Sequence, residues 1–418
     1  MNFRAPEGTH DVLPEEAARW RKLEDAARSC FDRFGYEEIR TPIFEYTSLF
    51  HKTSGETTDI VEKEMFTFGG DPDEKDGSFS LRPELTPGTI RALVEQQLFA
   101  KRNFWKVWYF GPAFRKERPQ KGRFRQFTQL GVEAVGSNDP LVDAETMILF
   151  SEILKAVDVA AWELRINSIG CGECRGGYRE ALKAAVRPLL PTLCGNCNKR
   201  VERNVFRVLD CKADAEKTGG LPAAIDHTCP KCKDHLKVVE GALKDAEVPY
   251  RIDPRIVRGL DYYTRTVYEF SSSALGAQNA LAGGGRYDSL VGDMGGPKDA
   301  GSVGFAAGAE RILLAMAGDA AAPPPDFYAI AAGDLPRSRI LATVTALRRA
   351  GLSGDMDFEG RSLKAQMRSA NRSGARYALL IGPEEADRGM VKLKDMKEGA
   401  ERLVSLDEAK AALQGGKK

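Results

Sequence analysis

Apolar residues recur at helical spacing over residues 15–34, where Leu23, Ala27, Cys30, Phe31 and Phe34 form one stripe and Gly35 follows as a C-terminal cap. The spacing predicts a surface helix in which Cys30 is a small buried hydrophobe. Residues 36–45, YEEIRTPIFE, read as a strand interrupted by Pro42; proline cannot donate to a ladder, so an edge or interface position is favoured. Residues 79–98, FSLRPELTPGTIRALVEQQL, predict a short strand, a turn at Pro83 and a helix opening near Thr86 and Pro87. WKVWYFGPAF, residues 105–114, is an apolar strand. The run 258–270, RGLDYYTRTVYEF, breaks the pattern. A strand with one buried face alternates apolar and polar residues, yet Arg258, Asp261, Tyr262 and Tyr263 crowd the head of this one, the mark of a small-ligand pocket. GGGRYD, residues 283–288, has the same character, because three glycines let the backbone approach a ligand and Arg286, Tyr287 and Asp288 follow at once.

A chain of 418 residues is too long for one core and fits two or three domains. The clearest boundary is AGDAAAPPPD, residues 317–326, which ends the helix GAERILLAM and places three prolines before an apolar strand. Beyond it the order is strand (FYAIAA), helix (337–350), strand near 355–358, helix from Ser362 and strand (YALLIG), a small α/β unit. Residues 325–418 hold 17 Lys+Arg against 13 Asp+Glu, a mild net of +4.

The whole chain carries 61 Lys+Arg and 60 Asp+Glu, so no global field draws nucleic acid and RNA contacts must rest on local patches. One patch stands out: Arg115, Lys116, Arg118, Lys121, Arg123 and Arg125 against the single acid Glu117, with Gly122, Phe124 and Phe127 interleaved. A charge run is usually a solvated face; the interleaved aromatics suggest instead a loop that closes over something flat and anionic. The N-terminus lacks the apolar core of a signal peptide, and no run of about 18 apolar residues exists, so a cytoplasmic protein without membrane contact is expected.

Eight cysteines in a cytoplasmic chain argue for thiols or metal rather than disulfides. Seven lie between about 170 and 240, as Cys171/Cys174, Cys194/Cys197 and Cys229/Cys232 pairs with Cys211 alone. Nineteen residues separate the first two pairs, which fits a four-thiolate zinc set of Cys171, Cys174, Cys194 and Cys197. Three pairs and a single cysteine leave other ligand sets open, as well as a set of reduced, partly buried thiols.

RGLDYYTRTVYEF and GGGRYD, with FGPAFRKERPQKGRFRQFTQLGVE at 110–133, closely resemble the histidyl-tRNA synthetases, a family of class II aminoacyl-tRNA synthetases, and the match runs almost end to end. The resemblance implies an α+β fold with an antiparallel-sheet catalytic core over residues 1–322, carrying the cysteine-rich insertion at about 170–240. It further implies a linker at 323–326 and a small α/β anticodon-binding domain over 326–418, in which SLKAQMRSANRSGARYALLIG carries the likeness. The implied activity is that of a histidine–tRNA ligase, which joins L-histidine to ATP as histidyl-adenylate with release of pyrophosphate and then transfers histidine to the 3′ end of tRNA(His). Mg2+ enters with ATP, any Zn2+ is structural, and YEEIRTPIFE resembles the motif at which such enzymes form homodimers.

The same likeness assigns roles along the chain. Glu84 could serve merely as a favourable charge at a helix start, but the family uses this position and Thr86 for the substrate α-amino group. Glu133 can accept from one imidazole nitrogen and Tyr263 can complement the other, with Gln129, Tyr262 and Tyr287 completing the histidine pocket. Arg115, held at a strand end, and Arg258 are the catalytic cations; in the family the arginine of RGLDYY sits at the reacting phosphate and also touches histidine. For ATP, Phe127 and Arg311 can cover the two faces of adenine, Glu117 can accept its amine, and Arg115 and Arg123 are further ATP-binding residues. Arg118 and Gln120 belong to the loop that meets the tRNA acceptor end. None of the four histidines falls in these motifs, and no base for the transfer step is assigned. The rival is a non-catalytic relative, the histidine-binding regulatory subunit of ATP phosphoribosyltransferase, which keeps the core but lacks the C-terminal domain and degrades the arginine motifs; a zinc-stabilised RNA-binding protein would leave the cluster at 258–263 without purpose.

Overall fold

The structure, a computed structural model, describes residues 3–54, 63–69, 77–120, 122–209, 211–257, 262–276, 279–318 and 323–415. Arg258, Asp261 and Lys121, singled out above, lie outside them. The chain forms two compact units, Met1–Ala320 and Ala321–Lys418.

The strands of the first unit are β1 (Glu37–Glu38), β2 (Phe44–Tyr46), β3 (Thr67–Phe68), β4 (Phe79–Leu81), β5 (Trp105–Phe114), β6 (Gln126–Val135), β7 (Trp162–Ser168), β8 (Arg251–Ile252), β9 (Thr264–Ser272), β10 (Ala280–Arg286) and β11 (Ser302–Gly308). Eight of them form one sheet in the order β1-β5-β6-β11-β10-β9-β7-β8. Its six central strands run antiparallel, and only the outer pairs β1–β5 and β7–β8 are parallel. The single strand expected over 36–45 is two, because the chain turns past Pro42 and sends β2 into a separate small sheet with β4 and β3. The expected N-terminal helix spans Pro14–Arg33, ended by Gly35 at φ 73°, a left-handed value that glycine adopts without a Cβ clash.

Period-two alternation divides the work of the large sheet. Leu130, Val132 and Ala134 of β6, with Phe270 of β9 and Phe305 of β11, pack on Leu23 and Phe31 of the first helix and Phe150 of the helix Pro140–Ala156. The intervening β6 positions 127, 129 and 133 line a cavity on the opposite face. Between β7 and β8 the chain leaves the sheet for the cysteine-rich segment, whose helices Gly172–Val186 and Gly195–Arg203 enclose a core of their own around Tyr178, Leu182, Val201 and Val208. The helix Pro230–Asp245 then returns to the main core through Leu236, Val239 and Leu243.

The second unit holds a mixed sheet of β12 (Phe327–Ala331), β13 (Gly354–Met356), β14 (Tyr377–Ile381), β15 (Met390–Asp395) and β16 (Glu401–Ser405), ordered β13-β12-β14-β15-β16. The α/β alternation read from sequence accounts for the parallel part; β15 and β16 add an antiparallel hairpin and the helix Leu406–Gly415 follows. Among the described residues no helix is long and apolar enough to cross a membrane.

GGGRYD proves to be divided between two environments. Arg286, with no exposed surface, turns into the core, where Nε donates to Asp143 Oδ2 at 3.0 Å and Nη1 donates to the Ser137 carbonyl at 2.8 Å. Asp143 is equally buried and lies 3.1 Å from His235 Nε2. Burial works against its charge, but His235 and Arg286 outweigh it and hold the carboxyl below its ordinary range. Removing Arg286 would leave the buried Asp143 carboxylate with only His235 beside it. Arg286→Ala should therefore destabilise the first unit by about 3–5 kcal/mol in urea unfolding; a loss below about 1 kcal/mol would show that the pair is dispensable.

Candidate active site

The site is built around Glu133, a carboxylate 1% exposed near the centre of the large sheet. Its Oε1 accepts from Thr86 Oγ1 at 2.7 Å and from Tyr109 Oη at 3.0 Å, and its Oε2 accepts from Tyr287 Oη. These donors come from three elements: the first residue of the helix Thr86–Glu95, strand β5, and the turn after β10. Gly304, opposite Glu133 in the β6–β11 register, leaves room for the carboxylate, because a Cβ there would collide with Oε2. Burial pushes the Glu133 carboxyl up to about 7; the three hydroxyl donors oppose the shift and the Glu84 charge adds to it.

A second buried carboxylate, Glu84, accepts from Tyr262 Oη at 3.1 Å. The Tyr262 ring lies 4.7 Å from that of Tyr263 and meets Tyr287 edge-on at 5.5 Å, forming an aromatic wall. Gln129 Oε1 accepts from the Leu85 amide at 3.1 Å, fixing the turn that carries Glu84 and Thr86.

Cations occupy another part of the same cavity, whose volume is about 780 Å³. Arg115 donates Nε to the Pro83 carbonyl at 2.9 Å and sets its guanidinium 5.2 Å over the Phe127 ring. Arg123 lies 3.0 Å and Arg115 3.7 Å from Glu117, so that carboxylate pairs with both. Arg311 donates Nε to the Gly122 carbonyl at 3.1 Å and Nη1 to the Ala280 carbonyl at 2.8 Å. Burial lowers its pKa, and the charges of Arg123 and Arg115 lower it further.

Twelve sequence candidates thus meet in one cavity: Glu84, Thr86, Arg115, Glu117, Arg123, Phe127, Gln129, Glu133, Tyr262, Tyr263, Tyr287 and Arg311. Arg118 and Gln120 do not line it; both are exposed, on a loop closed by the Gln120–Arg123 bridge. The residues missed were Tyr109, hidden in an aromatic strand run, and Glu310, an acid at a helix start whose carboxyl accepts from the Thr128 amide at 2.7 Å and is raised by burial to about 7. Arg200 and Arg207, which also line the cavity, come from the insertion, where no motif announced them.

The metal set read from spacing is corrected. Cys171 and Cys174 lie beside Cys229 and Cys232, while Cys194 and Cys197 lie beside Cys211 and Asp214. Linear distance misled because the N-caps of two helices far apart in sequence, Cys171 and Cys229, meet, and a carboxylate completes the other group.

The raised Glu133 carboxyl gives a signed pH dependence. Its extra stabilisation is complete below the ordinary value of 4.5 and is lost as pH rises toward about 7, amounting to at most about 3 kcal/mol. Glu133→Gln, neutral throughout, should flatten the fall of the thermal midpoint between pH 4.5 and 7, with Glu310 accounting for what remains. An unchanged slope would mean that Glu133 is ionised across that range.

The family model for histidyl-tRNA synthetase matches residues 8–312, and that for an anticodon-binding domain matches residues 338–415. A histidine–tRNA ligase of Desulforamulus reducens is 45% identical over 409 residues, covering 96% of this chain and 97% of the relative. One of Trichlorobacter lovleyi is 43% identical over 420 residues, covering 100% and 99%. The crystal structure of apo histidyl-tRNA synthetase from S. aureus superposes with a TM-score of 0.82 at 32% identity, covering 99% of this chain and all of that one. With the carboxylate pocket, the arginine cluster and the antiparallel sheet in place, the chain belongs to the histidyl-tRNA synthetase family.

Proposed function

We propose that the chain is a histidine–tRNA ligase of the cytoplasm, acting on L-histidine, ATP and tRNA(His). The observation that carries this reading is the meeting, in one cavity, of two buried carboxylates among tyrosines with Arg115, Arg311 and Phe127. A carboxylate held by hydroxyls suits a substrate that brings N–H donors. Glu133 accepts from the imidazole with Tyr263 at its other nitrogen, Glu84 and Thr86 take the ammonium group, and Gln129, Tyr262 and Tyr287 shape the pocket. In the first step a histidine carboxylate oxygen bonds to the α-phosphorus of ATP and the bond to pyrophosphate breaks. Arg115 and Arg258 neutralise the two anions as they approach, a contribution largest in the transition state. Phe127 and Arg311 cover adenine, and Glu117 and Arg123 complete the nucleotide site.

Mg2+ would enter with ATP and supply positive charge against the phosphates; Glu117 and Glu310, which line the cavity, are oxygen donors that would hold such an ion. In the second step the terminal ribose hydroxyl attacks the acyl carbon and AMP leaves, with Arg118 and Gln120 on the exposed loop facing the acceptor end. A regulatory histidine-binding relative would retain Glu133 but has no need of Arg115 and Arg311, or of the second unit at residues 321–418.

Histidine-dependent exchange of pyrophosphate into ATP tests the first step. Exchange with histidine alone among the amino acids is expected, and Arg258→Ala should lower it by orders of magnitude with the fold intact. Histidine binding without exchange would favour the regulatory reading. The proposed homodimer should scatter light as twice the chain mass of 45.9 kDa; a particle of 45.9 kDa at assay concentration would refute it.

A further inference from the structure

We propose that the insertion binds two zinc ions per chain at separate four-ligand sites, and that the second ion holds Arg200 and Arg207 on the wall of the catalytic cavity. The first site is Cys171, Cys174, Cys229 and Cys232; the second is Cys194, Cys197, Cys211 and Asp214. In each, all four ligand atoms lie within 4.8 Å of one another. Sulfur separations are 3.6 Å for Cys171–Cys174, 3.9 Å for Cys171–Cys229 and Cys174–Cys232, and 3.8 Å for Cys194–Cys211. A tetrahedron with zinc–sulfur bonds near 2.3 Å requires sulfurs about 3.8 Å apart, whereas a disulfide requires about 2.05 Å. All eight cysteines are free thiols.

The surroundings are those of ligands rather than packing groups. Cys171, Cys194 and Cys229 each stand at the N-cap of a helix. The Cys171 amide donates to Cys174 Sγ at 3.0 Å and the Cys197 amide to Cys194 Sγ at 3.5 Å, the backbone support that orients thiolate ligands. Asp214 is 2% exposed, and its Oδ2 lies 3.7 Å from Cys211 Sγ while accepting from the Cys194 amide at 2.9 Å. The described residues of the insertion supply a core of nine buried side chains, one of them Cys197, too thin to order such a segment without a staple. Four thiolates, or three with a carboxylate, spaced for a tetrahedral set are donors that suit a structural zinc.

The two sites act at different places. The first closes the root of the insertion by joining residues 58 apart in sequence. Beside it, Arg175 donates to the Tyr263 carbonyl at 2.9 Å, tying that root to the aromatic wall. The second closes the loop that carries Arg200 and Arg207, both of which line the cavity. Loss of the second ion should therefore release two cations from the binding wall and leave the sheet and its carboxylates in place.

Elemental analysis of the full chain, purified without chelator, should find two zinc ions per chain. Cys229→Ser and Asp214→Ala should each leave one, and Asp214→Cys should keep both. After exchange with Co2+, the ion remaining in Asp214→Ala should show the strong charge-transfer bands of a four-thiolate set. Zinc near background, iron in its place, or a content indifferent to these substitutions would overturn the proposal; should a variant fail to fold, the native content and cobalt bands decide. The positioning half rests on the ligase reading: Asp214→Ala, Arg200→Ala and Arg207→Ala should each raise KM for ATP by on the order of tenfold with a smaller change in kcat, and Asp214→Cys should restore it. An unchanged KM in zinc-depleted Asp214→Ala would sink that half. Zinc content needs no substrate, so its failure would leave the ligase reading untouched.

Discussion

A carboxylate that is almost wholly buried constrains everything around it. Glu133 stays polar at the centre of the sheet because hydroxyls from a helix start, a neighbouring strand and a turn converge on it. Unpartnered, such a group would carry a desolvation penalty that one domain's marginal stability could hardly absorb. The partners in turn dictate the backbone. Gly304 must be glycine to leave room for the carboxylate, and Gly131 must be glycine because a Cβ there would meet the Tyr109 hydroxyl and the Phe305 carbonyl. The pocket, the glycine pattern and the order of β5, β6, β11 and β10 are thus one solution to one electrostatic problem.

The alternation of the sheet lets this solution coexist with a core. One face of β6 and β9 packs three long helices through aliphatic and aromatic side chains, and the other presents Gln129, Glu133 and Glu269 to the cavity. Where a charge must cross to the packed face, as Arg286 does, it meets Asp143 with His235 as a further neighbour. Strong pairs therefore lie on both sides of the sheet. Those in the core are closed among themselves, whereas those in the cavity leave carboxylate and guanidinium edges for a ligand.

Features carried by local periodicity were legible in the sequence: the helix Pro14–Arg33 and the turn and helix at Pro83 and Thr86 obey rules that act within a few residues. The cavity-lining candidates stood out in the sequence because their residue types violate such rules, as Tyr262 and Tyr263 do before an apolar strand. What could not be read was set by contacts distant in sequence. Tyr109 looks like any aromatic in a strand until Glu133 is seen 24 positions away. Arg286 looked like a ligand group beside Tyr287, yet Arg286 ends its strand facing the core while Tyr287, just past the strand end, reaches Glu133, and the two neighbours serve different purposes. The cysteine pairs misled in the same way, since spacing along the chain says nothing of which helix ends meet.

Charge is partitioned within the cavity, and this explains how two substrates of opposite character could be ordered in one space. Glu84 and Glu133 lie among tyrosines and Thr86, and burial together with the Glu84 charge opposes ionisation of Glu133. Arg115, Arg123 and Arg311 cluster around Phe127 and Glu117, and their mutual repulsion adds to the burial that disfavours the charge on Arg311. In each cluster one member, Glu133 in the first and Arg311 in the second, is disfavoured in its charged form by its surroundings. A ligand bringing ammonium and imidazole N–H groups relieves the first, and a triphosphate relieves the second, so the interaction gained on binding is largest when each enters its own region. In the proposed reaction the bond forms between the carboxylate of one substrate and the α-phosphate of the other, where the two regions meet. Arg115 is anchored there by the carbonyl of Pro83, one residue before Glu84. The turn that carries Glu84 thus also holds Arg115, and in the proposed reaction this would couple recognition of the amino acid to the geometry of the chemical step.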